Sequence, residues 1–171
     1  SEMIGILSEI FRYALRSETD TVPLYEELQH TDNYVAIQKI HYKNAIDVEY
    51  LVDETLLDEP VLKLLFQPLI ENAISHGLKD RVTHCRIRIR IVSRRDRVCI
   101  SVVNNGRGMT PARLKEVRDS LTSSSYHSHH IGLFNTFRRL SLLYQTDFRF
   151  QVQSKEAFGT VISIEYPKES R

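Results

Sequence analysis

Apolar residues recur at helical spacing over residues 2–16, where Ile6, Ile10, Tyr13 and Ala14 share one face. The polar stretch 17–23 ends in Pro23 and predicts a break. A second helix is predicted over 24–44, with Leu24, Leu28, Val35 and Ile37 among its apolar positions. The period then shortens, and IDVEYLV at 46–52 alternates as a strand does. Residues 58–78 form a mostly apolar helical run that opens on Asp58 and Glu59, with Pro60 in its first turn. Pro68 inside that run predicts a kink or a late helix start. Gly77 stands where a helix C-cap is expected.

From residue 86 the alternation is strict. Ile87, Ile89 and Ile91 point one way, and Arg86, Arg88 and Arg90 the other. VCISVV at 98–103 repeats the pattern beyond the turn Ser93–Arg97, which predicts an antiparallel hairpin with one buried face. NNGRGM at 104–109 is a loop, a helix follows from Thr110 or Pro111 to Ser120, and 122–130 is polar. Another helix is predicted over 132–145, then strands over 147–153 and 160–166 around Gly159. Strands from distant parts of the chain must share one sheet, covered on one face by the helices. That is a two-layer α/β sandwich.

Composition adds exclusions. Plentiful aliphatic residues and a net charge of +1 argue against disorder over the 171 residues. No stretch approaches the roughly 20 apolar residues that a membrane-spanning helix needs. The first residues do not read as a signal peptide, and cytoplasmic placement is the expectation. Cys85 and Cys99 lie in strand-like stretches and suit buried thiols rather than a disulfide framework or a zinc site. The charge is uneven: residues 1–80 carry −9 and residues 81–171 carry +10. A basic half can attract phosphate, nucleic acid or an acidic partner, or it can simply neutralise the acidic half within one fold.

Four short segments hold candidate chemistry. In FQPLIENAISHG (66–77), Asn72 and His76 at i and i+4 share a helix face. An amide oxygen is a reasonable ligand for a hard cation, and a histidine can meet a phosphate; a merely hydrogen-bonded pair would look the same. In VVNNGRGM (102–109), Gly106 and Gly108 permit close backbone approach, though a plain turn has the same letters. In HHIGLFNTFRRL (129–140), Gly132 stands at a helix start, where anions bind. FGTVISIEYP (158–167) is a Gly-Thr turn before a strand.

In this order, the four segments resemble the N, G1, G2 and final GT motifs of the Bergerat ATP-binding fold, shared by topoisomerase subunits, heat-shock chaperones, mismatch-repair proteins and histidine kinases. The chain is most similar to LytS/YesM-type sensor histidine kinases, whose N box QPLxENAxxHG matches Gln67–Gly77. VPLYEEL and YVAIQ (22–28 and 34–38) resemble the segment that precedes the ATP domain there. The resemblance covers roughly 22–167. It implies a mixed, mostly antiparallel sheet, with residues 1–22 a remnant of an upstream dimerisation segment and 23–171 the ATP-binding catalytic domain.

It also implies roles. Asn72 would bind the Mg²⁺ that bridges the ATP phosphates, His76 would lie near those phosphates, and Glu71 would orient the site or a metal-bound water. Asn104 would accept from the adenine amine, Gly106 and Gly108 would pass close to the nucleotide, and Met109 would lie against the base. Ile131, Gly132 and Leu133 would open the helix behind a lid spanning 110–131, and Thr160 would close the adenine side. The reaction would transfer the γ-phosphoryl group of ATP to a histidine, mostly by positioning and charge neutralisation.

The chain departs from the family pattern in places. Asn104 replaces an Asp, an uncharged acceptor for a charged one. His130 replaces a glycine, and Tyr144-Gln145 replaces a frequent Tyr-Gly. The Glu that activates water in hydrolysing relatives is replaced by Pro68, which favours transfer to protein over hydrolysis. The phosphoacceptor motif would lie upstream of residue 1, and His30 and His41 lack its neighbours. The expected partners are the phosphoacceptor helix of a homodimeric, membrane-anchored parent kinase and a response regulator. The arginine-rich strand lacks the interleaved aromatics of single-strand nucleic-acid binders, so nucleic acid is not expected, nor membrane contact. His127, His129 and His130 lack a carboxylate or Cys companion for a metal. The alternative function is a non-enzymatic scaffold of the same fold with a degenerate pocket.

Overall fold

The computed structural model describes residues 1–16, 19–78, 83–123 and 131–169. Helix α1 (Glu2–Leu15) rests Ile6, Ile10 and Tyr13 partly on α2 (Leu24–His41) and buries no residue fully. Strand β1 (Thr21–Pro23) intervenes where the sequence predicts only a break. The first N–H groups of α2 are satisfied from a distant loop: Leu24 N–H donates to the Glu59 carbonyl (3.0 Å) and Tyr25 N–H to that of Leu57 (2.9 Å). The helix ends three residues earlier than predicted, because Lys43 and Asn44 take left-handed φ of 51° and 62°.

The largest departure lies between residues 58 and 66. The apolar run is not one helix. Strand β2 (Ile46–Val52) leads through a short 3₁₀ turn, Glu54–Leu56, to β3 (Pro60–Leu62), which pairs antiparallel with β1. Helix α3 starts only at Phe66 and runs to Gly77. Pro68 then falls in its first turn, where a missing N–H costs nothing. The run is continuously apolar because Val61, Leu62, Leu65 and Phe66 are buried whatever their secondary structure. Gly77 is not a left-handed C-cap either. Leu78 caps the helix in the right-handed region, and a Cβ on Gly77 would come within 2.9 Å of Cys85 Sγ.

The hairpin forms as predicted from β4 (Cys85–Arg94) and β5 (Arg97–Asn104). Helix α4 (Pro111–Thr122) is capped by Thr110, whose hydroxyl accepts from Arg113 N–H. Helix α5 (Ile131–Tyr144) follows, then β6 (Arg149–Lys155) and β7 (Gly159–Pro167). The main sheet among the described residues has the order β2-β4-β5-β7-β6, with β2 parallel to β4 and every other pair antiparallel. It is therefore the mixed, mostly antiparallel sheet expected. The inward row of Ile87, Ile89, Ile91, Ile100, Val102, Ile162 and Ile164 is at most 2% exposed. Each such side chain contributes roughly 1.5–3 kcal/mol by leaving water. The arginines at 86, 88 and 90 lie on the exposed face. Arg88 pairs with Glu49 on β2 at 2.7 Å, so part of the charge is neutralised within the sheet. No described helix is long and apolar enough to cross a membrane.

Two turns place residues in the left-handed region. Gln145, at the end of α5, has φ 56°, a conformation glycine adopts freely and glutamine at a cost of about 1 kcal/mol. Gly159 has φ 122°, and a Cβ there would lie 2.0 Å from the Asn104 carbonyl oxygen. Gly159→Ala is expected to destabilise the fold by about 3 kcal/mol or more, read as a lowered midpoint in chemical denaturation.

Candidate nucleotide-binding site

Helix α3 buries Phe66, Leu69, Ile70, Ala73, Ile74 and Gly77 against the rest of the fold. Asn72 and His76 lie half-buried on the margin of that face, one turn apart. Glu71 is exposed and is held toward α2, where its Oε1 accepts from Tyr34 Oη (3.2 Å) and from Gln67 Nε2 (3.1 Å). Burial, then the adjacent Glu71 carboxylate, push the Tyr34 hydroxyl upward in pKa, which keeps it a donor. Consecutive helical residues point about 100° apart, so Glu71 and Asn72 serve different neighbours.

Both ends of α3 touch segments distant in sequence. At its start, Pro68 Cβ lies 3.5 Å from where a Cβ on Gly132 would stand, so the first turns of α3 and α5 pack together. At its end, a Cβ on Gly106 would lie 3.1 Å from the His76 carbonyl oxygen and 3.2 Å from Gly77 Cα. The Cys85 thiol, pushed up to about 11 by burial, stays protonated and reaches the Ala73 carbonyl at 3.8 Å. The three segments separated in sequence therefore meet around one helix.

Asn104 ends β5 with only 5% exposure. Its Oδ1 accepts from Gly106 N–H at 2.9 Å, which shapes the turn and leaves a second lone pair on the oxygen. Asn105 beside it is a stitch between strands: its Oδ1 accepts from Arg86 N–H (2.7 Å) and its Nδ2 donates to the His84 carbonyl (3.1 Å). The requirement for glycine at 106 and 108 comes from the protein's own backbone. Gly106 faces the end of α3, and Gly108, with φ 69°, would place a Cβ 1.9 Å from the Lys155 carbonyl oxygen.

Thr160 is the cross-strand neighbour of Asn104 on one side and of Ser154 on the other. Ser154 Oγ lies 2.8 Å from Thr160 Oγ1 and accepts from Met109 N–H at 2.9 Å. Sequence reasoning missed Ser154, since only strand register brings it to this row. Met109 is 8% exposed and packs in the core cluster. Leu133 is buried, Gly132 half-buried and Ile131 exposed at the start of α5, where the Gly132 carbonyl accepts from Thr136 Oγ1 at 2.9 Å. The lid segment is described up to Ser123; residues 124–130, with His127, His129 and His130, lie outside the described residues, as does Arg81. His30 is buried, stacked on Tyr13 at 4.3 Å between centroids and bonded to Gln67 Oε1 at 3.0 Å. It offers no accessible phosphoacceptor.

Residues 57–170 match the family model of histidine kinase-, DNA gyrase B- and HSP90-like ATPases, and residues 1–46 match the histidine kinase model. The chain belongs to this ATPase family. The ATPase-family match takes up the larger, later part of the chain and the histidine kinase match its start. It is 36% identical over 165 residues, 96% of the chain, to an uncharacterized sensor-like histidine kinase of Staphylococcus epidermidis, covering 32% of that protein. It is 35% identical over 161 residues, 94% of the chain, to the sensor protein kinase HptS of Staphylococcus aureus, covering 31% of it. The chain thus spans about a third of the length of these relatives. The catalytic domain of histidine kinase ThkA superposes with a TM-score of 0.63 at 20% identity, over 88% of this chain and 97% of that one. The mycobacterial sensor histidine kinase MprB does so at 0.61 and 15%, over 88% and 98%. These two share the fold.

Ser154→Ala removes the acceptor of Met109 N–H and the partner of Thr160. It is expected to cost about 1–2 kcal/mol of stability, measured by urea unfolding.

Proposed function

We propose that the chain binds MgATP between α3, the loop 104–109 and the start of α5, and presents its γ-phosphoryl group to a histidine of the parent kinase. The observation that carries this reading is the meeting of Gly132 with Pro68 and of Gly106 with His76 and Gly77, which leaves Asn72 between the two contacts. The half-buried Asn72 carboxamide supplies an oxygen suited to Mg²⁺, an ion that takes few protein ligands and completes its shell with phosphate and water. When bound, the ion would neutralise phosphate charge.

The chain's own residues do the rest. His76 lies one turn from Asn72 and contacts the phosphates. The start of α5, with Ile131, Gly132 and Leu133, offers N–H groups to them. Asn104 accepts from the adenine amine through its second lone pair, with Met109 and Thr160 beside the base. Glu71 orients α3 through α2. In the transfer, the bond from the γ-phosphorus to its bridging oxygen breaks, a nitrogen–phosphorus bond forms on the acceptor histidine, and ADP leaves. With Pro68 where hydrolysing relatives carry Glu, no side chain at that position can activate water.

The parent is read as a LytS/YesM-type kinase, on the match of Gln67–Gly77 to its N box. It acts as a membrane-anchored homodimer with this part in the cytoplasm, and phosphorylates a response regulator. Residues 1–22 belong to the dimerisation segment, which the exposed Met3, Ile4, Leu7, Phe11 and Leu15 of α1 support; residues 23–171 form the catalytic domain. Asn72→Ala is expected to weaken ATP binding in the presence of Mg²⁺ by roughly tenfold or more and to abolish the difference made by Mg²⁺, with little change in melting temperature. Calorimetric titration with and without the ion reads this out. Unchanged Mg²⁺-dependent binding would remove the reading.

A second reading keeps the fold and drops catalysis, as a scaffold with a degenerate pocket. Asn104 favours it, being an uncharged acceptor whose oxygen already receives Gly106 N–H. On that reading the native chain binds MgATP more weakly than about millimolar, and Asn104→Asp raises affinity by about tenfold. Tight native binding with no gain in the variant discards it.

A further inference from the structure

The face that α2 buries is polar where it meets α1 and α3. Glu27 is fully buried. Its carboxylate accepts from Tyr13 Oη on α1, from Leu64 N–H at 3.0 Å and from Phe66 N–H at 3.4 Å. Those two amides belong to the approach and first residue of α3. Burial, then the Glu27 carboxylate, raise the pKa of the Tyr13 hydroxyl, so it remains a donor. Leu64 has φ 58°, a conformation that leucine keeps only where its surroundings impose it. The neighbouring Lys63 donates Nζ to the Arg16 carbonyl at the end of α1, while its own carbonyl accepts from Arg139 of α5 at 2.7 Å. The seam continues outward through the His30, Gln67, Glu71 and Tyr34 bonds described above.

We propose that Glu27 is a positioning residue that ties the start of α3, and through it Asn72, to the placement of α1 by way of Tyr13. A buried carboxylate stripped of donors is unfavourable. Displacing α1 therefore removes one donor and obliges the first turn of α3 to readjust. From Phe66 to Asn72 is about 9 Å of helix, a rigid element that carries a shift at its start to the nucleotide-facing side chain. Tyr13 and Glu27 lie in the segment that matches the histidine kinase model, and α3 in the segment that matches the ATPase family. The contact is thus where movement upstream reaches the ATP site. The effect on nucleotide rests on the function proposed above; the coupling of α1 to α3 does not.

The test is amide hydrogen exchange and MgATP titration on the whole chain with Tyr13→Phe and Glu27→Gln, and with Tyr25→Phe, an exposed hydroxyl of α2, as control. Tyr13→Phe is expected to speed exchange of the α3 amides from Leu69 to Gly77 by roughly tenfold, the scale of one buried hydrogen bond. Exchange in the β4–β5 hairpin stays as it was, MgATP binds several-fold more weakly, and the control changes neither. Uniform acceleration across α3 and hairpin alike, or none in α3, overturns the proposal. So does faster α3 exchange with MgATP affinity unmoved, since Glu27 would then be a structural cap alone. If Glu27→Gln fails to fold, Tyr13→Phe carries the test. Native protein that shows no saturable MgATP binding, with α3 still responding to Tyr13→Phe, refutes the nucleotide reading and leaves the coupling intact.

Discussion

The placement of one helix, α3, governs the rest of the structure. Its last turn lies so close to the β5–α4 loop that any side chain at residue 106 would press on the His76 carbonyl oxygen. A side chain at residue 77 would press on Cys85. Its first turn meets α5 through Pro68 and Gly132. Such contacts leave a packed helix few ways to shift, because interiors are as dense as crystals and resist continuous deformation. Asn72 and His76 are held in place by what surrounds the helix that carries them.

The polar interior around α2 has a different character. An apolar core tolerates exchange of one hydrocarbon for another, whereas a buried carboxylate needs specific donors. Glu27 receives its donors from α1 and from the backbone that enters α3, and Thr31 beside it returns its hydroxyl to the Glu27 carbonyl at 2.7 Å. His30 and Gln67 extend the arrangement to Glu71. This chain of bonds sets the angle between the helices. Burial alone would leave that angle loosely defined, since hydrophobic attraction has no direction.

The glycines carry a further lesson about this fold. A glycine-containing loop beside a phosphate-type motif invites the reading that bare backbone exists to admit a ligand. At residues 106, 108 and 159 the space a Cβ would fill is taken by α3, by the Lys155 carbonyl and by the Asn104 carbonyl. The loop is thin because three protein segments converge on it. A nucleotide that approached from the remaining side would find a surface already made rigid by those contacts.

Local pattern was sufficient for much of this protein. Strict alternation located the β4–β5 hairpin and its buried isoleucine row, because a strand with one wet face must alternate. The spacing of Asn72 and His76 placed both on one helix face, and the order of the four segments indicated the family. Residues 61–66 were illegible, since a segment buried at nearly every position shows neither period. Half of the buried stripe of α2 was hidden for the converse reason: beside Leu24, Tyr34 and Val35, its inward positions are Glu27, His30 and Thr31, which read as solvent-facing. Strand register alone brought Ser154 to Thr160 and Asn104. The orientation of Glu71 toward Tyr34, and the seating of Glu27 on the start of α3, were decided by tertiary contact, because a side chain's partner across 37 residues is a property of packing and not of spacing.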